Sequence, residues 1–153
     1  MTVDYLDTSF VLSLSIKDDI NHEAALELEK TIGDAIVSKL VIAELYTYFS
    51  RVLDQYRAIS SGTGNYEEYV EAMVQYSIQR THARIINTSL DELLEMTSHY
   101  APRLRLRTLD LLHVLAAYKL GANRIITLDK DYEAKSHLIK KWLGLEVVTP
   151  WPK

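Results

Sequence analysis

Four carboxylates stand where strand-like and helix-like runs of the chain meet. Asp7 directly follows Val3 to Leu6, Glu44 lies on the flank of a helical stripe, Asp110 is near the start of an apolar helix, and Asp129 ends the run Ile125 to Leu128. If they converge, a pair about 4 Å apart costs on the order of 4 kcal/mol at an effective dielectric near 20, so the cluster must take up protons, splay apart or hold a cation. Carboxylate oxygens without histidine or thiol partners select hard ions, Mg²⁺ or Mn²⁺, over zinc. The chain has no cysteine, and His22, His82, His99, His113 and His137 show no ligand spacing such as HExxH. Each acid also has a local reading: Asp110 complements a helix dipole behind an N-cap at Thr108, and Glu44 is a solvated helical glutamate. Where the elements place the acids decides between these readings.

The organising stretch is Leu106 to Glu133, a helix carrying Asp110, a glycine turn and a short buried strand ending on Asp129. Leu109, Leu111, Leu112, Val114, Leu115, Ala116, Ala117 and Leu120 make that helix apolar all round, which predicts burial. Upstream, Val3 to Leu6 is a strand, and Asp7 or Thr8 can cap the helix after it. Asn21 can cap a second helix with Ala24, Ala25, Leu28 and Ile32 at helical spacing, ended by Gly33. Ala35 to Ser38 is the next strand. Val41, Ile42, Leu45, Phe49, Val52, Leu53 and Tyr56 then follow a 3.6-residue period.

The run SSGTGN at 60–65 is the clearest loop and predicts the tip of a helical hairpin. Asn65 with Glu68 starts the next helix as a capping box, with Tyr66, Tyr69, Val70, Met73 and Tyr76 or Ser77 on its inner face. Arg84 to Asn87 is a third strand, and Ser89 with Glu92 starts a helix with Leu90, Leu93, Leu94 and Thr97 inward. Tyr132 to Leu143 is a last helix stopped by Gly144, and Leu145 to Thr149 an edge strand. Most of the ten tyrosines fit helical core positions.

Strands alternating with helices, and no hairpin signal between strands, predict a single α/β domain over 1–153. Its architecture is three-layer α/β/α, with a mostly parallel sheet of four to five strands. Parallel strands deliver their carboxyl ends to one edge, where ligands bind at the reversal of strand order. Asp7, Asp129 and Glu44 fall at that edge; Asp110 reaches it if RLRLRT at 103–108 crosses the rim.

Composition narrows the classes. With 153 residues and 48% hydrophobic content the chain can bury a core without staples. The absence of cysteines fits a cytoplasmic location, and neither a signal peptide nor a membrane span is indicated. A net charge of −4 argues against a sequence-blind nucleic-acid coat, which would be basic.

Leu6-Asp7-Thr8-Ser9, Glu44 in ELYTYFSR, LDLLHVLAAYKLGA around Asp110 and ITLDKDY around Asp129 together resemble the four acidic motifs of PIN-domain ribonucleases, particularly VapC toxins of prokaryotic toxin-antitoxin pairs. Order and spacing agree over essentially the whole chain. The resemblance implies a Mg²⁺- or Mn²⁺-dependent endoribonuclease with Asp7 and Asp110 as principal metal ligands and Glu44 and Asp129 completing the pocket. It also implies an RNA substrate, an antitoxin partner and a homodimer. Hydrolysis of a phosphodiester needs an activated water and compensation of charge on the phosphoryl and leaving oxygens, and bound metal supplies both. Thr8 or Ser9 could fix Asp7, and Thr127 could fix Asp129, although turn and cap chemistry explains these hydroxyls equally. His113 is read as a core histidine with a satisfied hydrogen bond, with support of the acids as its other role. Arg103, Arg105 and Arg107, then Arg80 and Arg84, are the available phosphate contacts, against a solvated surface.

Two other classes remain. One is a catalytically silent PIN-like protein-interaction module, against which the intact acids argue. The other is an aspartyl-phosphate phosphotransferase using Asp7, which lacks the expected DxDxT pattern because position 9 is serine.

Overall fold

The computed structural model describes residues 1–53 and 65–152 in full, and 54–59 as helical backbone. Five strands form one sheet: β1 (Val3–Leu6), β2 (Asp34–Ser38), β3 (Arg84–Ile86), β4 (Arg124–Ile126) and β5 (Glu146–Val148). Their order is β3-β2-β1-β4-β5, and every pairing is parallel. Tyr5 sits beside Ile36 on one side and Ile125 on the other, so the central strand is the first one made. The apolar runs of β1, β2 and β4 fit a sheet covered on both faces.

Eight helices are present among the described residues: α1 (Thr8–Ser15), α2 (His22–Glu29), α3 (Lys39–Ile59), α4 (Tyr66–Thr81), α5 (Leu90–Leu104), α6 (Thr108–Lys119), α7 (Lys130–Ala134) and α8 (Ser136–Leu143). The chain steps outward from β1 to β2 to β3, then crosses back to β4 and β5. Right-handed crossovers therefore put α1 to α4 on one face and α5 to α8 on the other. The packing follows this division, with α1 against α2, α3 and α4, and α5 against α6 and α8. The reversal falls between β1 and β4. It opens a crevice at their carboxyl ends, where Asp7 and Asp129 emerge.

Several local expectations change. Thr108 does not cap α6; Arg107 holds that position without a side-chain bond and Thr108 is the first helical residue. The burial of α6 begins at Leu111, leaving Leu109 exposed. Asp7 occupies the N-cap position of α1 but its carboxylate makes no cap bond, nor does the side-chain amide of Asn21 at α2. Gly33 does not end α2, which stops at Glu29; a Cβ at Gly33 would lie 2.5 Å from the Thr2 carbonyl oxygen, so glycine is needed for close approach of β1 and β2.

The C-terminal helix is two helices, broken at Lys135. α4 buries Val70, Val74, Ser77 and Ile78 and leaves Tyr69 and Tyr76 outside; α5 buries Leu93 but not Leu90 or Leu94. Of the described tyrosines only Tyr5 and Tyr132 are buried. The side chain of Tyr56 and the loop residues 60–64 lie outside the described residues. The caps at Asn65 and Ser89 form as expected, Asn65 accepting from the amides of Glu67 and Glu68 and Ser89 from that of Glu92. Strand β1 matches its predicted bounds, and the other strands fall within a residue or two of theirs.

Candidate active site

Asp7, Glu44, Asp110 and Asp129 line one cavity of about 370 Å³ at the carboxyl edge of the sheet. Each is delivered by a different element: Asp7 by the turn from β1 into α1, Glu44 by the second turn of α3, Asp110 by the first turn of α6, and Asp129 by the turn after β4. Thr8, Ser9, Leu12, Thr47, Tyr48, Arg51, Leu109 and His113 complete the wall.

Hydroxyls fix the Asp7 side of the cavity. Ser9 Oγ and Thr127 Oγ1 each donate to Asp7 Oδ2 at 2.8 Å. The same two oxygens accept the amides of Leu128 and Asp129, both at 3.0 Å. Both Ser9 and Thr127 therefore hold Asp7, and Thr127 meets Asp129 through its backbone rather than its carboxylate. Asp129 Oδ1 accepts the Asp131 amide at 2.8 Å as the N-cap of α7.

Glu44 is held from behind. Thr8 Oγ1 donates to Glu44 Oε1 at 2.6 Å, and His113 Nε2 bonds to the same oxygen. The other ring nitrogen, Nδ1, lies 2.7 Å from the Tyr5 hydroxyl, itself 2.7 Å from Ser38 Oγ, which accepts the Leu40 amide at 3.3 Å. With the ring in its Nε2–H tautomer the donors run one way, from the Leu40 amide through Ser38, Tyr5 and His113 to Glu44, and each of the three side chains between the ends is used once as donor and once as acceptor. His113 is thus both the buried, satisfied histidine of the sequence reading and a support of the acidic wall.

The four acids differ in their surroundings. Burial acts to raise Glu44, but the hydrogen bond and charge of His113, with the Thr8 hydroxyl, outweigh it and hold Glu44 below its ordinary value. Asp110 has no such donors. Burial, then the negative charges of Asp129 and Asp7, push it upward against the pull of Arg107 and His113. Burial would lower His113, yet the bond to Glu44 and the surrounding carboxylates raise it. Burial, with carboxylate charge, also keeps the Tyr5 and Tyr132 hydroxyls protonated.

Asp110 Oδ2 is buried and has no hydrogen-bond partner; the nearest cation, Arg107 Nε, is 3.6 Å away. An oxygen of Asp110, one of Asp129 and one of Asp131 all lie within 4.8 Å of one another. An orphaned carboxylate oxygen in an all-oxygen donor set fits a hard divalent cation. The tight grouping draws in Asp131, absent from the four motif acids, while Asp4 is excluded. Asp4 lies at the opposite edge of the sheet, gripped by Arg124 at 2.7 Å.

Among the arginines, Arg107 bonds Asp131 at 2.8 Å beside Asp110. Arg103 donates to the His99 carbonyl and covers the Trp142 ring at 5.1 Å. Arg105 is exposed in a left-handed turn after α5, and Arg80 and Arg84 pair with Glu29 and Asp34. Arg51, not singled out from sequence, lines the cavity; its spacing of i+7 from Glu44 on α3 was the available signal.

A model of the PIN domain matches residues 5–138. The chain belongs to the PIN-domain family. Among solved structures, this PIN domain is similar to VapC20 of Mycobacterium tuberculosis, described as a sarcin-ricin-loop-cleaving toxin. The identity is 23%, the similarity covers 86% of this chain and 93% of that one, and the TM-score is 0.60. It is also similar to VapBC2 from Rickettsia felis bound to a promoter DNA fragment, at 19% identity over 95% and 98% of the chains with a TM-score of 0.58. A third similar structure is FitAB bound to an IR36 DNA fragment, at 13% identity over 98% and 96% with a TM-score of 0.64. At these identities the likeness is one of fold. No curated protein sequence matches. No described helix is long and apolar enough to cross a membrane.

Proposed function

We propose that this PIN domain is a Mg²⁺- or Mn²⁺-dependent endoribonuclease that acts as the toxin of a toxin-antitoxin pair, restrained by an antitoxin protein. The observation that carries the reading is the buried, unpartnered Asp110 Oδ2 in a cavity shared with Asp7, Glu44 and Asp129. The description of VapC20 as a sarcin-ricin-loop-cleaving toxin supports a cleaving toxin, and the VapBC2 and FitAB structures support a partnered state.

Asp110 and Asp7 would hold the ion, with Asp129, Asp131 and Glu44 around it. When bound, the metal supplies activation of a water and compensation of phosphoryl charge. The chain's own groups set the geometry. Ser9 and Thr127 saturate Asp7 Oδ2, and Thr8 and His113 saturate Glu44 Oε1. Asp7 Oδ1 and Glu44 Oε2 have no hydrogen-bond partner among the described residues, so each carboxylate offers one oxygen while the other is locked. That arrangement fixes ligand direction without chelating groups that would need to move.

Calorimetric titration with Mn²⁺ at low salt, followed by RNA cleavage in Mg²⁺, tests the reading. Wild type should bind and cut, while Asp110→Asn should lose both and Asp7→Asn should lose cleavage without unfolding. Full cleavage by both variants, in preparations free of contaminating nuclease, overturns it. For the toxin reading, expression should arrest growth, and co-expression of a small protein from the adjoining reading frame should relieve the arrest.

A further inference from the structure

The cavity is lined by four carboxylates, so even a bound divalent ion leaves it with excess negative charge, and an RNA strand must still enter. Four described arginines are committed to carboxylates: Arg80 to Glu29, Arg84 to Asp34, Arg107 to Asp131 and Arg124 to Asp4. Arg103 is engaged by the His99 carbonyl and the Trp142 ring. Arg51 is different. It lines the acidic cavity, is exposed, and has no ion-pair partner among the described residues.

We propose that Arg51 is a substrate-binding residue, a contact for an RNA phosphate flanking the one at the acids. Arg51 and Glu44 share a face of α3, seven residues or roughly 10 Å apart along the axis. A guanidinium there is offset from the acidic centre and can take a neighbouring phosphate in the same groove, bidentately where a lysine would act as a point charge. The strand then lies along α3, with Thr47 and Tyr48 between the two anionic contacts. A residue serving substrate in this way stays unpaired in the free protein, because an internal partner would have to be displaced. This assignment rests on the ribonuclease reading and names the side of the cavity on which the substrate runs.

The test uses fluorescence anisotropy with a short, labelled, mixed-sequence single-stranded RNA. Binding is compared in an Asp110→Asn background, which stops cleavage, with and without Arg51→Ala or Arg51→Lys. Arg51→Ala should weaken binding about five- to tenfold and make the plot of log affinity against log salt shallower by about 0.7, the contribution of one phosphate contact on a single strand. Arg51→Lys should keep the salt slope and lose part of the affinity. In the otherwise native enzyme Arg51→Ala should raise KM with little change in kcat, and Mn²⁺ affinity should not fall. If the wild type cuts RNA and the Asp110→Asn parent binds it but Arg51→Ala leaves affinity and slope unchanged, or if Arg51→Ala lowers Mn²⁺ binding in the otherwise native enzyme, the assignment is wrong and the ribonuclease reading stands. If the wild type neither binds nor cuts RNA, the ribonuclease reading fails and takes the assignment with it.

Discussion

His113 Nε2 donates to Glu44 Oε1 from a ring that is only 1% exposed, so the base of the acidic cavity is braced by the hydrophobic core. The Tyr5 hydroxyl on the central strand meets Nδ1 and reserves the Nε2 proton for Glu44 in the neutral ring. Truncating His113 takes the acceptor from the buried Tyr5 hydroxyl, at a cost of about 1–3 kcal/mol, while the part-exposed Glu44 keeps its bond from Thr8. We expect His113→Ala to lower stability to urea by an amount in this range and to weaken Mn²⁺ binding about 10- to 100-fold, as outer ligand supports do elsewhere. Tyr5→Phe should shift both in the same direction by less. Loss of stability with unchanged Mn²⁺ affinity would show that His113 only fills space.

Arg107 lies across two of the acids that approach most closely, bonded to Asp131 and 3.6 Å from Asp110. It acts as an internal counter-ion to these acids. Because its side chain is 77% exposed, solvent screens the attraction, and the gain from removing it is small. Arg107→Ala should tighten Mn²⁺ binding roughly two- to fivefold at low ionic strength, with the difference shrinking as salt is added. Titration at two salt concentrations checks this. Weaker Mn²⁺ binding by the variant would mean that Arg107 positions the carboxylates instead of competing for them.

The Asp4 carboxylate is fully buried at the other edge of the sheet. Arg124 grips both its oxygens at 2.7 Å and the Gly33 amide donates at 2.7 Å. Burial alone would raise its pKa, but Arg124 and Gly33 reverse this and hold Asp4 below the ordinary carboxylate value. Its ionised form therefore stabilises the fold above the unfolded-state pKa, and this contribution is lost as pH falls through the lower folded value. Arg124→Ala leaves the charge stranded and should cost about 3–5 kcal/mol at neutral pH, measured by urea unfolding. Cleavage per folded molecule should not change, because this pair is remote from the cavity.

The parts of the site legible in the sequence were those tied to strand ends. Asp7 and Asp129 follow β1 and β4 at once, and a parallel sheet sends both to one edge whatever the loops do. Asp110 was harder to place, since it depends on α5 continuing through Pro102 and the chain turning at Arg105 in a left-handed conformation. The partners that distinguish the acids were not legible. His113 meets Glu44 across 69 residues and Thr127 meets Asp7 across 120, and such side-chain bonds leave no periodic trace. Helix faces are set in the same way: Tyr69, Tyr76, Leu90 and Leu94 have suitable spacing, but α1 and α3 decide which stripe of α4 is covered, and α6 and α8 which stripe of α5. The density of basic side chains in RLRLR does not show which are free: the fold commits Arg103 and Arg107 to neighbours, whereas Arg51 has no ion-pair partner among the described residues.

Asp110 is the acid most at odds with its surroundings, buried without donors beside Asp129 and Asp7, and its pKa lies above the ordinary carboxylate value. A carboxyl raised on folding binds its proton more tightly in the native state, so in the metal-free protein its contribution to stability falls as pH rises through the folded value. Glu44 and Asp4 run the other way, losing stability on acidification below their own unfolded values. At neutral pH, Asp110→Asn removes the repulsion and should raise metal-free stability on the order of 1 kcal/mol, or roughly 2–4 °C in Tm. The same change should abolish Mn²⁺ binding. On acidification the proton competes with Mn²⁺ for the Asp110 carboxylate, so affinity should fall at a higher pH than for a carboxylate of ordinary pKa. Thermal melts of both proteins with and without Mn²⁺ separate these effects: the ion should raise the Tm of wild type alone. A variant that melts lower than wild type without metal would show that the Asp110 carboxylate supports the fold rather than being held against it for the sake of the ion.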